Sequence, residues 1–398
     1  MRYRLKFGRL TIPVKSVLMA VFFAFFALKM LRAFSGSSVQ GGIWNYIQLF
    51  FVALGILLFI IGIRRYRSDA MVMFLLLYTA VAMLNALFSA HLSRTWIFQY
   101  LTLAYPFAIL VIAIEIGRVS EIEDNVLLVG VFLIMAAIFV LSMAGNGAYS
   151  TKTGAVADVY YVLGLLPLMM ICFRKNKAIP LIVCGIAVIV SGKRTGIIVY
   201  AAMVFAYFLV LSIQSRRVST YLKSALMLAV FVACFLFVLN RINTSFNTHL
   251  LMRLNRIFSE NDSSGRFERW KRITQSLGSA GFWRWITGFG QSAVAHRFGG
   301  NAHNDFLEIL YDYGVFALLG YALFYVAMAV DMLRMIRDGY EYAAQFVMSI
   351  LLCLGLANFS FYAIAPTYIT AGMLCVGCIW ADYRKRLGAD AAAAALEE

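Results

Sequence analysis

Charged side chains are scarce in this sequence. Of its 398 residues, 14% are charged and 62% are hydrophobic, and the mean hydropathy is +0.81. Soluble globular domains carry about 25% charged residues. The composition therefore excludes a soluble globular protein and indicates a chain that folds with lipid as its solvent.

Cysteine is rare and confined to apolar stretches. The six cysteines are Cys172, Cys184, Cys234, Cys353, Cys375 and Cys378. None lies in a long polar segment, which excludes a disulfide framework. The spacing of Cys375 and Cys378 is that of a redox or metal motif, but within an apolar helix two small core side chains are favoured.

Histidine is also scarce, with four residues, and they are His91, His249, His296 and His303. No two of them have the four-residue spacing of a helical metal site, and none has a neighbouring cluster of cysteines and acids. We therefore predict no metal site, and nothing in the sequence indicates a cofactor.

Long apolar windows dominate the remainder of the chain. Each is long enough to cross about 30 Å of hydrocarbon as a helix. They span residues 14–34, 42–63, 70–90, 95–117, 125–144, 156–173, 178–192, 195–213, 222–240, 308–332, 342–361 and 365–381. Because they are continuously apolar and do not alternate, helices are favoured over a barrel. We predict an all-α polytopic membrane protein with about twelve transmembrane helices.

The arginine and lysine clusters predict the orientation. They precede the first window and then fall on every second side, as in Arg64–Arg67, Arg174–Lys177 and Arg384–Arg386. By the positive-inside rule both termini are cytoplasmic. The first window is too long for a cleaved signal peptide.

Four regions follow from this topology. Residues 1–240 hold nine spans, 241–307 form a large external loop, and 308–390 hold three further spans. The alanine-rich Ala391–Glu398 is interpreted as a cloning scar. The net charge of +16 is assigned mainly to cytoplasmic loops that meet anionic headgroups, which argues against nucleic acid as a partner.

Two external positions carry basic charge that topology does not explain. Residues 241–303 contain nine arginines and lysines against three acids, which predicts an anionic ligand. The alternative is a helix over Gly265–Leu277 that lies on headgroups, with an apolar stripe of Phe267, Trp270, Ile273 and Leu277 at three- and four-residue spacing. It would account for Arg269, Lys271 and Arg272.

The second position is the short turn Ser191–Gly196, which holds Lys193 and Arg194 between apolar windows. Arginine offers a planar fork of donors to phosphate, and the flanking glycines let the backbone approach an anion. Lys193 could instead reach the headgroups, and Lys29 and Arg32 are open to the same interpretation.

A polar cluster stands where the external loop meets the tenth window. His303 is followed by Asn304, Glu308, Tyr311 and Asp312. An imidazole takes a proton from a hydroxyl near neutral pH, so His303 is the candidate general base. Glu308, Asp305 and Asp312 are candidates for orienting it, although acids at a helix start are also favoured by the helix dipole.

These residues resemble the C-terminal signature of the O-antigen polymerase and O-antigen ligase superfamily. The resemblance covers residues 180–325 and uses four motifs in order, namely Ser191–Gly196, Ser264-Gly265-Arg266 with Trp270, Thr287–Gly290, and Asn301–Glu308 with Tyr313-Gly314. It implies a metal-independent, inverting glycosyltransferase of the GT-C type at the external face of the plasma (inner) membrane. The implied substrates are undecaprenyl-pyrophosphate-linked glycans, as donor and acceptor.

Carried over to this chain, the resemblance assigns Arg194 and Arg266 to the pyrophosphate and His303 to the acceptor hydroxyl. Lys193 and Arg269 are further candidate pyrophosphate contacts by charge and position, and Asn304 and Glu308 are candidate supporting residues. Membrane lipids and a chain-length regulator protein are the other expected partners. The aromatic side chains of Phe282, Trp283, Trp285 and Phe289 are candidates for stacking on sugars or for an interfacial belt.

Three functions are carried forward. A polymerase of lipid-linked repeat units is favoured, and a ligase that passes the glycan to lipid A core is the alternative. A lipid or solute transporter is the alternative of another class. No repeat relates the two halves of the chain, and the polar groups cluster at the outer edge, with Asn85 and Asn358 as the main exceptions.

Overall fold

A computed structural model describes most of the chain. The described residues are 4–7, 10–13, 42–87, 100–101, 103–119, 126–145, 159–173, 176–191, 193–215, single positions between 219 and 237, 266–357 and 366–397. The predicted span at 14–34, nearly all of that at 222–240, and the loop residues 241–265 lie outside these ranges, as do Lys29, Arg32 and Cys234.

Helices account for nearly all described residues. They are α1 (Gly42–Ile61), α2 (Ile63–Tyr66), α3 (Ala70–Leu87), α4 (Tyr105–Val119), α5 (Val126–Gly145), α6 (Val159–Cys172), α7 (Ala178–Ser191), α8 (Arg194–Ser215), α9 (Arg266–Gly278), α10 (Phe282–Thr287), α11 (Ala293–Phe298), α12 (Asp305–Arg337), α13 (Ala343–Gly355) and α14 (Pro366–Glu397). Helix α14 continues through the alanine run that we interpreted as a scar.

One element departs from the all-α prediction. Strands β1 (Arg4–Phe7) and β2 (Leu10–Pro13) pair antiparallel, with Arg4 opposite Pro13. The sequence of β1 alternates basic and apolar residues, which is the period of a strand. We had used these arginines and lysines only as a topology signal.

Three helices within the described ranges are long and apolar enough to cross a membrane. They are Ala70–Leu87, Thr195–Ser215 and Asp305–Arg337. Four shorter apolar helices accompany them, at Gln48–Ile61, Val159–Cys172, Ala178–Ser191 and Ala343–Gly355. The chain is a multi-pass membrane protein, and the count of twelve spans stays a prediction.

The main core lies where α14 packs along α4 and α12 packs along α3. The first pair approaches closely because Gly117 faces the backbone of Cys378, and Gly377 faces Ala113. Small residues at such positions let membrane helices come into backbone contact. The five described cysteines are free. Both Cys375 and Cys378 are fully buried in this core, as the core interpretation predicted.

A second, smaller core belongs to the segment between α8 and the membrane part of α12. It consists of Ile273, Leu277, Val294, Ala302 and Tyr311, with side chains from α9, α11 and the first turns of α12. We refer to residues 266–313 as the loop subdomain. Its core extends four residues past the predicted end of the external loop at residue 307.

Candidate functional site

Helix α12 is broken at Gly314, which has φ 81° and ψ −178°. A side chain there would overlap the carbonyl oxygen of Ile286, and one at Gly288 would overlap that of Asp312. Gly288 also has a positive φ, 72°. The glycines of two sequence motifs therefore allow two backbone segments to touch, which no larger residue would permit.

Three carbonyl groups at the break are bonded from outside the helix. The amides of Phe289 and Gly290 donate to the carbonyls of Tyr311 (2.9 Å) and Asp312 (3.0 Å). The side-chain amide of Asn85, in α3, donates to the carbonyl of Tyr313. Unbonded carbonyls are costly away from water, so these donors stabilise the break and fix the first part of α12 on the loop subdomain.

Asp312 holds the loop subdomain together from its centre. Its carboxylate is fully buried, and Oδ1 accepts from the amide of Val294 at 2.9 Å. The amides of Ser292 and Ala293 also face this carboxylate. The Asp312 carboxylate thus receives the free amides at the start of α11.

The loop that carries His303 is fixed from its downstream side. Asn304 caps α12, because its Oδ1 accepts from the amide of Leu307 at 3.0 Å. Glu308 turns back, so that its Oε2 accepts from the amide of Ala302 at 3.1 Å. His303 itself has a left-handed φ of 55°. That conformation is uncommon for a residue with a side chain and is maintained here by bonds on both sides.

Helix α9 fixes the same loop from the other side. The Nη1 atom of Arg269 donates to the carbonyl of Asn301 at 2.6 Å, and Nε1 of Trp270 donates to the carbonyl of Ala302 at 2.6 Å. The Arg269 guanidinium also lies over Gly300, where a side chain would be 3.5 Å away. Arg269, a candidate pyrophosphate contact by sequence, is thus bonded to the histidine loop.

Most of the apolar face of α9 is buried in protein. Ile273 and Leu277 are 0% and 2% exposed in the loop core, and Trp270 packs against them. Of the predicted apolar stripe, Phe267 alone is well exposed, at 58%. Ile273 and Leu277, which the interfacial alternative expects to meet lipid, instead meet Val294 and Tyr311. That alternative stays a prediction for the exposed Lys271 and Arg272.

Lys193 and Arg266 are brought together, although they are far apart in sequence. Lys193 is partly buried, and burial together with the nearby positive charge of Arg266 lowers its pKa. Its amide donates to Oγ of Ser191 at 3.1 Å, which shapes the turn between α7 and α8. The structure thus places two cations of separate motifs within electrostatic range of each other.

Arg266 lies on the face of α9 that contacts the histidine loop. Arg266, Arg269 and Trp270 are spaced three and four residues apart, so they follow one another on a single side of the helix. Arg194 is the first residue of α8, and its side chain lies outside the described part of the structure.

Sequence reasoning missed the roles of three residues. In the sequence, Trp270 belongs to an apolar stripe, Tyr311 to a polar cluster, and Asn85 is a polar residue within a predicted span. The hydroxyl of Tyr311 bonds to Arg297 Nη1 at 3.0 Å and to Ser276 Oγ at 3.2 Å. A polar side chain inside an apolar window, as at Asn85, is the signal that could have indicated a bonding role.

The aromatic candidates divide into two groups. Phe289 is stacked on Tyr311, with ring centroids 4.3 Å apart, and Arg284 and Arg297 lie over its ring. It is therefore part of the loop core. Phe282 and Trp283 are 72% and 73% exposed, so sugar stacking stays a prediction for them. Within the described ranges, no group of three or more His, Cys, Asp or Glu residues is placed to hold a metal ion.

The part of the chain that holds this candidate site is also the part that matches a known protein family. Residues 179–322 match the family described as O-antigen ligase. No curated protein matches the chain. The matched range contains the turn at Lys193, the whole loop subdomain and the break at Gly314. Over these residues the chain is similar to the O-antigen ligase family, which confirms the resemblance inferred from its motifs.

Proposed function

We propose that this protein is a membrane-embedded glycosyltransferase that polymerises undecaprenyl-pyrophosphate-linked repeat units into a surface polysaccharide. The observation that supports it best is that Lys193 lies near Arg266. Arg266 belongs to α9, the helix whose Arg269 and Trp270 bond to the histidine loop. Cations beside a candidate base are what transfer of a sugar from a diphosphate carrier requires.

The cations act on the leaving group. Arg266, Lys193 and Arg194 hold the pyrophosphate of the donor, and guanidinium groups can bind its oxygens in pairs. Negative charge grows on the pyrophosphate as its bond to the anomeric carbon breaks. Positive side chains at this position stabilise that charge without a bound metal ion, so we expect a metal-independent reaction.

His303 acts on the acceptor. Its imidazole takes the proton from an acceptor hydroxyl, whose oxygen attacks the anomeric carbon from the side opposite the pyrophosphate. One bond forms between this oxygen and the carbon, the bond to the carrier breaks, and the carrier leaves with its electron pair. Attack from the opposite face inverts the configuration, as in GT-C enzymes.

The other residues of the site position this base. Asn304 and Glu308 fix the backbone on both sides of His303, and Arg269 with Trp270 holds the loop against α9. In this proposal Arg269 serves the histidine loop, and Arg194, Lys193 and Arg266 serve the pyrophosphate. The site lies at the external face of the inner membrane, with both termini in the cytoplasm.

The direct test uses purified protein with lipid-linked repeat units as the sole substrate. A polymerase yields a ladder of products from this one substrate class. A parallel reaction adds lipid A core, because a ligase yields product only when that acceptor is present. Product in the second reaction alone would show that the protein is a ligase and not a polymerase. We keep the ligase as the alternative because the matched family is described as O-antigen ligase.

His303→Ala separates an enzyme from a transporter. We expect turnover to fall by a factor of about a hundred or more when a general base is removed. His296→Ala is the matched control, since His296 is exposed on α11 in the same subdomain. Equal product from both variants at equal expression would refute His303 as the base. If the protein moved lipid-linked glycan across the membrane of a vesicle without forming a new glycosidic bond, it would be a transporter.

A further inference from the structure

A cavity of about 200 Å³ lies between the start of α3, the end of α12 and α14. It is near the other end of α12 from the histidine loop, roughly 25 Å along the helix at 1.5 Å per residue from Gly314. Its lining combines apolar side chains such as Phe74 and Val330 with four charged ones, Asp69, Asp331, Arg334 and Arg384.

The two acids of the cavity differ in how well they are bonded. Asp331 accepts from Nε1 of Trp380 at 2.9 Å and from Nη1 of Arg334 at 3.1 Å. The side chain of Asp69 is 3% exposed, and its Oδ2 has no hydrogen bond within the described part of the chain. The nearest cations, Arg118 and Arg384, are 3.8 Å from its oxygens, which is too long for a hydrogen bond.

Because Asp69 is buried, a further hydrogen-bond donor would stabilise its carboxylate. Desolvation raises its pKa to about 6, and the charges of Arg384 and Arg118 offset only part of that effect. Oδ2 is within ion-pair distance of Arg118, but a buried carboxylate oxygen that accepts no hydrogen bond is still unfavourable. A small cation that donates hydrogen bonds would satisfy it, provided that the cation can enter the cavity.

The rim of the cavity is positively charged, opposite to Asp69, and its wall is apolar. The side chains of Arg334 and Arg384 are 55% and 48% exposed, so each is accessible to an anion. Val326 and Val330 are 54% and 40% exposed on the same stretch of α12, where a span faces lipid. Arginine-rich segments flank this end of the helices, so by the positive-inside rule we expect the cavity to lie at the depth of the cytoplasmic headgroups.

We propose that this cavity binds a zwitterionic aminophospholipid, whose primary ammonium donates to Asp69 and whose phosphate contacts Arg384 and Arg334. An acyl chain then lies along Phe74, Val326 and Val330. A choline headgroup has the same charges but no N–H donor, and a glycerol headgroup has no cation. The site therefore distinguishes the primary amine from both. The proposal is independent of the sugar-transfer function.

The test measures lipid retention by the full-length protein in detergent, using native mass spectrometry. Phosphatidylethanolamine, its mono- and dimethylated forms, phosphatidylcholine and phosphatidylglycerol are compared at equal acyl composition. We expect the ethanolamine lipid to be retained about tenfold more strongly than the choline lipid, the effect of one charge-assisted hydrogen bond. Retention should fall stepwise as methyl groups replace the donors.

Asp69→Asn should remove this preference while total lipid binding persists. Asp338→Asn is the control, because Asp338 is an acid at the same end of α12 that bonds to Arg337 and Tyr383 outside the cavity. Equal retention of ethanolamine and choline lipids by the unmodified protein would overturn the proposal. So would an unchanged preference in Asp69→Asn. If that variant does not fold, the methylation series on the unmodified protein decides alone.

Free O-phosphoethanolamine provides the last comparison. It has the headgroup but no acyl chain, so the lipid should stabilise the protein against heat at concentrations where the free compound does not. Equal stabilisation by both would show that the apolar wall contributes nothing, and would overturn the assignment to a lipid.

Discussion

The side-chain amide of Asn85, in α3, donates a hydrogen bond to the carbonyl of Tyr313, the residue that precedes the break in α12. One transmembrane helix thereby satisfies a carbonyl that the interruption of another has freed. In lipid no water is available to replace this donor. The bond joins two parts of the chain separated by 228 residues.

Replacing Asn85 by leucine should lower thermal stability. The carbonyl of Tyr313 would lose this donor, at a cost of about 1–3 kcal/mol. Thermal unfolding in detergent would measure it. Thr79→Val is the matched control in the same helix, because within the described residues its hydroxyl bonds to the carbonyl of Leu75 one turn earlier. Equal stability of the two variants would contradict a specific role for Asn85.

Gly314→Ala should be far more harmful than an ordinary glycine replacement. Its φ of 81° disfavours a side chain, and the added carbon would overlap the Ile286 carbonyl. We expect a loss of about 3 kcal/mol or more, or failure to fold. In Gly278→Ala, where nothing lies within 4 Å of the added carbon, unfolding should shift little. A well-folded, fully active Gly314→Ala protein would show that the break is not required.

Arg266 and Arg269 should fail in different ways when each is changed to glutamine. Arg266→Gln removes a pyrophosphate contact, so it should raise the KM for the lipid-linked donor and, because negative charge grows on the pyrophosphate in the transition state, also lower kcat. Arg269→Gln releases the carbonyl of Asn301, which loosens the histidine loop, and should mainly lower kcat. Initial rates over a range of donor concentrations separate the two effects. Arg272→Gln is the control, because Arg272 is exposed on another side of α9 and its loss should change neither kcat nor KM. Identical kcat and KM values for all three variants would argue against both roles.

The repulsion between Lys193 and Arg266 predicts a pH-dependent stability. Burial and Arg266 lower the pKa of Lys193 from its ordinary 10.5, so the folded protein disfavours the protonated amine. This penalty is constant below the lowered pKa. It is relieved as pH rises from the lowered pKa toward 10.5, because there the unfolded chain binds more protons.

Arg266→Gln should reduce that pH dependence. Burial continues to lower the pKa of Lys193, but loss of the like charge raises it partway toward its usual value, so stability near neutral pH should increase. Unfolding midpoints measured between about pH 7 and 10 would show a smaller rise with pH than in the unmodified protein. The same slope in both proteins would mean that the two charges do not interact.

The apolar windows predicted most helix positions because each window is continuous in sequence. The windows at 70–90, 178–192 and 195–213 correspond to α3, α7 and α8 within a few residues. The break at Gly314 was not predictable in this way. Glycine is tolerated in membrane helices, and the cause of the break is a backbone contact with Ile286, which is distant in sequence.

The candidate site, too, was predictable from the sequence only in part. The residue types of Arg266, His303 and Glu308 indicated anion binding and base catalysis, and the meeting of Lys193 with Arg266 agrees with that grouping. The partners of Arg269 and Glu308 are backbone atoms of Asn301 and Ala302. Backbone donors and acceptors are the same in every residue, so side-chain identity gives no sign of such pairs.

Tyr311 has a consequence for dissecting this protein into pieces. Its ring lies in the core of the loop subdomain, yet it belongs to the helix that enters the membrane. A recombinant fragment cut at residue 307 would lack this ring and the carboxylate of Asp312, which receives the amides of α11. We expect such a fragment to be unable to fold in isolation, so the soluble-looking part must be studied while still attached to its transmembrane segments.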